Sequence, residues 1–258
     1  MERIRTGAVE VVNPFNARQV RTVSLDPTEV DCVVFWTRDP RPLLPYLTEL
    51  DARGYRYYFM TTLTGYPLEL EPGAPLVGEI VDAFAHLHDA IGSERSIWRY
   101  DPLFLSSITD EAFHLENFAE LSRVLAGKIE RVVFSAYDEY RRAKARVATL
   151  ADRGIKVLPS HDGEGRLLPE TTELLGKLAG LARAAGLAPR ACAEKDDLSR
   201  FGIEPNACVD AELISRHWGL ELGKKKDRSQ RASCRCAASV DIGTYGTCPA
   251  GCVYCYAT

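Results

Sequence analysis

The sequence predicts an α/β protein built as a full or partial (β/α) barrel, with a cysteine-rich segment at its C-terminal end. Short apolar runs alternate with amphipathic helical patterns along most of the 258 residues, which is the rhythm of repeated βα units. Seven of the eight cysteines follow residue 190. Glycine stands where four of the helical patterns should end, as is common at helix C-termini, at Gly54, Gly92, Gly127 and Gly186.

The strands are predicted at short runs of apolar, β-branched and aromatic residues. In chain order these runs are residues 9–12, 32–36, 55–62, 96–100 and 131–136, a weaker run at 155–158, and two later runs at 189–193 and 239–244. Amphipathic spacing predicts helices at residues 43–52, 76–91, 110–125, 139–151, 170–185 and 210–218. Strands that alternate with helices favour one βα-repeating domain. We expect residues 1–190 to form the barrel region, and residues 191–258 to form a cluster-binding segment integral to the same domain.

Polar residues recur directly after the predicted strands. Because active sites of (β/α) barrels lie at the carboxyl ends of the strands, these residues are candidates for function. Each one alone has a plainer explanation, since a polar residue at a strand end commonly caps the next helix. The candidates are Thr37, Arg38, Asp39, Thr61, Thr62, Thr64, Arg99, Asp101, Ser135, Tyr137, Asp138, Cys192 and Glu194.

Composition excludes several classes of protein. Hydrophobic residues make up 46% of the chain and charged residues 26%, as in an ordinary globular protein that buries a core. The formal net charge of −4 indicates neither nucleic acid nor a membrane surface as partner. No apolar run reaches the roughly eighteen residues of a membrane span, and the N-terminus lacks a signal-peptide stretch. We therefore expect a cytoplasmic protein whose cysteines are metal or cluster ligands rather than disulfides.

The segment Cys248-Pro249-Ala250-Gly251-Cys252-Val253-Tyr254-Cys255 sets three cysteines at C-x3-C-x2-C spacing. Three thiolates from one turn can hold three irons of a four-iron, four-sulfur (4Fe-4S) cluster and leave the fourth iron open. Proline and glycine suit such a turn. The spacing differs from that of a bacterial ferredoxin and from the paired C-x2-4-C knuckles of a zinc site. Zinc and inert thiols are the alternatives for these three cysteines.

Four further cysteines form a second set: Cys192, Cys208, Cys234 and Cys236. Four ligands suffice for an auxiliary 4Fe-4S cluster or for tetrahedral zinc. Buried thiols without a metal are the third possibility, because free cysteine is among the most buried residue types. Cys32 falls within a predicted strand, and we expect it to belong to the core.

Several segments together are typical of one known family: Val12-Asn13-Pro14-Phe15-Asn16, residues 31–39, Trp98-Arg99-Tyr100-Asp101-Pro102, Cys192-Ala193-Glu194, Cys208-Val209-Asp210, Cys234-Arg235-Cys236 and residues 241–257. With the cysteine motif they resemble the radical S-adenosylmethionine (SAM) superfamily, specifically an uncharacterised bacterial family (DUF1848-type) whose cysteine motif lies at the C-terminal end. Members generally have an upstream Ser-Arg-Arg-Thr-Asp segment and continue past Tyr-Cys-Tyr-Ala, so the resemblance implies flanking segments on both sides.

The resemblance implies a radical SAM-like enzyme, in which a 4Fe-4S cluster on the three motif cysteines reductively cleaves SAM to start radical chemistry on an unknown substrate. It implies that Tyr254 packs beside the adenine of SAM, although a core aromatic that closes the loop is a compatible role. The backbone at Tyr256 would contact the adenine edge. Arg38, Arg99 and the Lys224-Lys225-Lys226 run are candidates to pair with the SAM carboxylate, but a lysine run is usually a solvated loop.

A reducing partner such as flavodoxin or ferredoxin is implied as well. Two functions without catalysis would use the same cysteines: an iron–sulfur electron-transfer protein and a zinc-stabilised binding module. An electron carrier rarely needs a scaffold of this size or an open iron. A response of the reduced cluster to SAM would distinguish the enzyme from the carrier, and iron content would distinguish both from the zinc module.

Overall fold

The structure, a computed structural model, describes residues 1–13, 16–223 and 230–257. A short helix and an antiparallel hairpin come first: α1 (Glu2–Thr6), β1 (Ala8–Asn13) and β2 (Asn16–Ser24). A six-stranded parallel sheet follows, with strands β3 (Val33–Thr37), β4 (Tyr57–Thr62), β5 (Ser96–Leu103), β6 (Arg131–Ala136), β7 (Ala188–Cys192) and β8 (Glu204–Asn206). The predicted α/β class is confirmed.

The strands of this sheet lie side by side in chain order, from β3 at one edge to β8 at the other. Successive parallel strands need a crossover connection, and helices supply most of these. They are α2 (Leu47–Ala52), α3 (Val77–Ile91), α4 (Glu111–Leu125), α5 (Lys144–Ala148) and α6 (Pro169–Ala184), while α7 (Ala211–Trp218) follows β8. In the described part of the chain, every helix is too short or too polar to cross a membrane.

The sheet has two chemically different faces, because successive side chains of a strand point to opposite sides. The helix face carries Trp98, Tyr100, Val132 and Phe134, which share one core with α3, α4 and α6. The opposite face, here called the cysteine face, carries Tyr58, Met60, Ile97 and Val133. It packs against α7 and against Cys208 and Cys236. The chain after β8 therefore covers the side of the sheet that the crossover helices leave open.

Two predicted strands are wrong, and the sequence did not predict two strands and one helix of the structure. Residues 155–158 form only an isolated bridge from Val157 to Ser106, and residues 239–244 form no strand. Residues 239–244 include only two apolar residues, and one of them, Val240, is 43% exposed. This run therefore has little apolar surface to bury by joining the sheet. The sixth strand is instead β8, which contains Pro205 and a charged residue and so lacks a strand signal. Helix α1 and strand β2 are mostly polar and were missed for the same reason.

A buried histidine on α4 is part of the helix-face core. The Tyr100 hydroxyl lies 2.8 Å from Nδ1 of His114, and Nε2 lies 3.2 Å from the Phe104 carbonyl oxygen. Nε2 therefore carries the proton and donates to the carbonyl, while Nδ1 accepts from the tyrosine. Asn117 donates to the same Tyr100 hydroxyl at 3.1 Å. Burial lowers the pKa of His114 to about 4, so this network requires the neutral ring.

We expect acid to destabilise the fold through His114. Its pKa is lower in the folded state than the ordinary value of 6.5, so its stabilising effect is complete above pH ~6.5 and is lost as the pH falls toward ~4. The loss is about 2 kcal/mol at pH 5. Urea unfolding at pH 7 and pH 5 checks this, with His114→Gln as the control that cannot titrate. If both proteins lose the same unfolding free energy between these pH values, His114 is not the cause.

Candidate functional site

The three-cysteine motif forms a turn that is docked against the loop after β4. Gly251 has a φ of 60°, a left-handed conformation that glycine adopts without steric cost. The Gly73 backbone N–H donates to the Ala250 carbonyl at 2.9 Å, and the Val253 N–H donates to the Leu70 carbonyl at 3.0 Å. These two hydrogen bonds hold the cysteine turn to that loop.

The cysteine turn lies at the carboxyl ends of the parallel strands. Arg38 follows β3 directly and donates to the Tyr254 hydroxyl at 2.7 Å. Phe104 follows β5, and its ring centroid is 5.3 Å from that of Tyr254. Binding sites of parallel α/β proteins form at this edge of the sheet. The turn therefore occupies the edge where the polar strand-end residues were expected to converge.

A buried ion pair anchors the turn from below. The Arg38 guanidinium donates to Glu71 at 2.8 Å and to Thr64 Oγ1 at 3.1 Å, and Thr64 Oγ1 donates to Glu71 at 2.6 Å. The Tyr254 hydroxyl also donates to Glu71. The Glu71 side chain is 1% exposed and that of Arg38 13%. Burial acts to lower the pKa of Arg38, but Tyr254 and Glu71 raise it by more, so the pKa lies above its ordinary value. The guanidinium therefore stays charged and balances the negative charge of Glu71.

The three motif thiols differ in exposure. Cys248 is exposed, Cys252 is buried and Cys255 is half-buried. Burial raises the pKa of Cys252 to about 11. Arg38 acts to lower this pKa, whereas Glu71 and the other two motif thiols act to raise it. Cys252 therefore lies within electrostatic range of both other motif thiols. Arg146 donates to the Cys255 carbonyl and so holds the far end of the turn.

The two tyrosines of the motif face different surroundings. The Tyr254 ring is buried, and its centroid is 6.2 Å from that of Tyr66. Tyr256 is 45% exposed and lies 5.0 Å from Tyr140 between ring centroids. Burial raises the pKa of Tyr256 to about 12, while Arg99 acts to lower it. Tyr254 thus belongs to the core beneath the turn, and Tyr256 to its open side near Arg99.

Arg99 lies on the cysteine face, between the two cysteine sets. It pairs with Asp101, and its guanidinium carbon is 6.0 Å from the centroid of the Trp36 ring. Burial lowers the pKa of Arg99, but Asp101 and the thiols of Cys208 and Cys192 raise it. Within the described chain, its buried Nε has no hydrogen-bond partner. Each predicted arginine therefore serves a different set: Arg38 neighbours the motif, and Arg99 neighbours the second set.

The second cysteine set converges on the cysteine face. Cys192 ends β7, Cys208 follows β8, and the other two cysteines come from the C-terminal segment. Cys192 Sγ lies 3.2 Å from Cys208 Sγ, the Cys208 backbone N–H donates to Cys236 Sγ at 3.0 Å, and Cys234 packs against the same apolar cluster. No disulfide joins any of the eight cysteines, all of which are described. Cys32 is half-buried against the same apolar cluster, outside the set.

Neither cysteine set already has its side chains arranged around one metal ion. Among residues 1–13, 16–223 and 230–257, no three His, Cys, Asp or Glu side chains already surround one metal position. The Lys224-Lys225-Lys226 run lies outside the described residues. The cysteine turn, Arg38, Arg99 and the second cysteine set are thus the described residues available to a metal or cofactor.

The whole chain matches one protein family. The family described as "Domain of unknown function (DUF1848)" matches residues 1–257. The chain belongs to this family. No curated protein matches it.

In this DUF1848 chain, sequence reasoning missed two residues that position the turn. Glu71 is buried with Arg38 and Tyr254, and Gly73 touches the backbone of the turn. Their signal in the sequence is slight: Leu-Glu-Leu-Glu-Pro-Gly predicts a surface turn after a strand. A carboxylate in such a turn is normally solvated, and only the contact with a segment far along the chain gives it a partner.

Proposed function

We propose that this protein is a radical SAM-type enzyme that binds a 4Fe-4S cluster through Cys248, Cys252 and Cys255. The observation that carries the proposal is the position of the cysteine turn, whose backbone is bound to the loop after β4 at the carboxyl-end edge of a parallel sheet. Six parallel strands in chain order are also what a partial (β/α) barrel contains. The barrel and the enzymatic activity both belong to the proposal.

The residues of the turn fit such a cluster. They offer three thiols and no fourth cysteine, because the remaining C-terminal cysteines gather on the cysteine face. A cluster takes each thiolate on a different iron, so its thiolates stand farther apart than those that share one ion, and single-ion geometry is not required. When bound, the cluster would supply one electron and an open iron that binds the amino and carboxylate groups of SAM.

The protein residues divide into positioning and binding roles. Arg38 and Glu71 hold the Tyr254 hydroxyl and so position the cysteine turn. Arg38 therefore acts on SAM through the turn, since its guanidinium is already paired. Arg99 and Tyr256 are assigned to direct contact with SAM, because Tyr256 is exposed and Arg99 has an unused N–H donor among the described residues. A cytoplasmic flavodoxin or ferredoxin would supply the electron.

The test is anaerobic reconstitution, reduction and assay for 5′-deoxyadenosine and methionine. We expect about four irons per chain at the motif, an EPR signal that changes when SAM is added, and slow SAM cleavage. The protein is assayed without added substrate. Cys252→Ala should lose the iron, while Cys32→Ala, which removes a half-buried thiol outside the motif, should keep it.

Two outcomes would replace the proposal. A cluster that neither changes its EPR signal with SAM nor cleaves it indicates an electron carrier. Zinc in place of iron at the three motif cysteines indicates a zinc-stabilised binding module.

A further inference from the structure

We propose that Cys192, Cys208, Cys234 and Cys236 bind one structural zinc ion. The site uses none of the motif cysteines, so its metal content can be tested separately from the proposed cluster. Its ligands come from three separate parts of the chain and gather on the cysteine face. Cys192 Sγ lies 3.2 Å from Cys208 Sγ, and Cys236 Sγ accepts from the Cys208 backbone N–H at 3.0 Å.

The protein surrounds these sulfurs with hydrogen-bond donors. The backbone N–H groups of Cys208 and Val209 point at Cys236 Sγ, at 3.0 and 3.4 Å. Asn206 Nδ2 points at Cys208 Sγ at 3.7 Å. A neutral thiol is a weak acceptor and has little need of such donors, whereas a thiolate is strongly stabilised by them. The Arg99 guanidinium adds a positive charge beside Cys192 and Cys208. These N–H donors and this positive charge would stabilise thiolate ligands on a bound ion.

The spacing of the sulfurs favours a single ion. With zinc–sulfur bonds of about 2.3 Å, tetrahedral geometry places thiolates about 3.8 Å apart. A 4Fe-4S cluster binds one thiolate at each iron, so its ligands are too far apart to touch. The Cys192–Cys208 sulfur distance is 3.2 Å, close to the first case and too long for a disulfide, whose bond is about 2.05 Å. Zinc therefore fits the Cys192–Cys208 contact better than an auxiliary cluster does.

Two adjustments would complete the site. The Cys192 and Cys208 sulfurs must separate by about 0.6 Å to reach tetrahedral spacing. Cys234 must leave its contact with the Gln230 side chain, where Sγ and Oε1 are 3.5 Å apart. These adjustments explain why no three described side chains surround a metal position in the metal-free chain. Four thiolates leave no position for water or substrate, which is the mark of a structural zinc site.

The position of the site explains what the ion would do. Protein hydrogen bonds already tie the C-terminal segment to the strand ends, from Ser233 Oγ to the Ala193 carbonyl at 2.7 Å and from the Ala237 N–H to the Val209 carbonyl at 3.0 Å. Zinc would join the same two parts of the chain through coordinate bonds to their cysteines. The cysteine turn lies farther along this segment. The ion would therefore fix the start of the segment that leads to the turn.

Metal analysis of the full chain, expressed with zinc and iron both supplied, tests the proposal. We expect about one zinc per chain in the wild type and a roughly tenfold or greater loss in Cys208→Ser and Cys234→Ser. The matched control is Cys32→Ser, which alters a half-buried thiol of the same apolar cluster and should keep its zinc. Cys252→Ala should also keep its zinc, so the result separates this site from the proposed cluster.

Because Cys208 is buried, its variant can fail to fold, and a second measurement uses the wild type. Replacing zinc with cobalt should give sulfur-to-cobalt charge-transfer absorption and the visible bands of a tetrahedral thiolate site. Purified protein without zinc, cobalt spectra without thiolate bands, or loss of iron rather than zinc in Cys234→Ser would each overturn the proposal. The last result would identify an auxiliary cluster.

Discussion

Replacing Gly73 with alanine is expected to displace the cysteine turn and to lower iron binding by roughly tenfold or more, because the cluster site is built on that turn. A Cβ atom at Gly73 would lie 2.3 Å from the Pro249 carbonyl oxygen. That atom belongs to the backbone, so it cannot rotate away. The turn can move only by breaking the hydrogen bond from the Gly73 N–H to Ala250. Overpacking of this kind costs about 1–3 kcal/mol or more.

Gly78→Ala is the matched control, since no atom lies within 4 Å of its added Cβ. It lies in the first turn of α3, where alanine should be neutral or stabilising by up to about 1 kcal/mol. Iron content after anaerobic reconstitution and urea unfolding are measured for both variants. If Gly73→Ala binds as much iron as Gly78→Ala, the turn does not depend on its contact with the loop after β4.

Arg38→Met is expected to destabilise the protein by about 3–5 kcal/mol, as is typical when one partner of a buried ion pair is removed. It leaves the Glu71 carboxylate, 1% exposed, with only neutral hydroxyl donors. Removing both charges avoids this cost, so Arg38→Met combined with Glu71→Leu should recover most of the lost stability. The free energy of unfolding at pH 7, measured by urea denaturation, gives both values.

The matched control is Arg123→Met, which breaks the exposed ion pair with Glu120 on α4. No measurable change is expected there, because exposed pairs contribute little. If Arg38→Met is as stable as Arg123→Met, or if the double variant is no more stable than Arg38→Met alone, the pair is not the anchor of the cysteine turn.

Much of the sheet could be predicted because its strands are buried on both faces. Strands β4 and β6 contain continuous apolar runs, at residues 57–60 and 132–134, and such runs indicate a parallel sheet covered by helices. Strand β8 and the hairpin strand β2 carry polar residues and proline, so local pattern could not identify them. The wrongly predicted strand at residues 239–244 shows the opposite error. A weak strand pattern forms a strand only where it can pair with a sheet edge and pack on an apolar surface.

The sequence by itself determined the α/β class, the spacing of the motif cysteines and the division of the C-terminal cysteines into two candidate sets. These properties are local, since they depend on residue type and separation along the chain. Only the tertiary structure decided that Arg38 neighbours one set and Arg99 the other. It alone gave Tyr254 the buried partner Glu71, 183 positions away. The physical reason is that a buried charge selects its partner by proximity in space, after the sheet has brought distant loops to one edge.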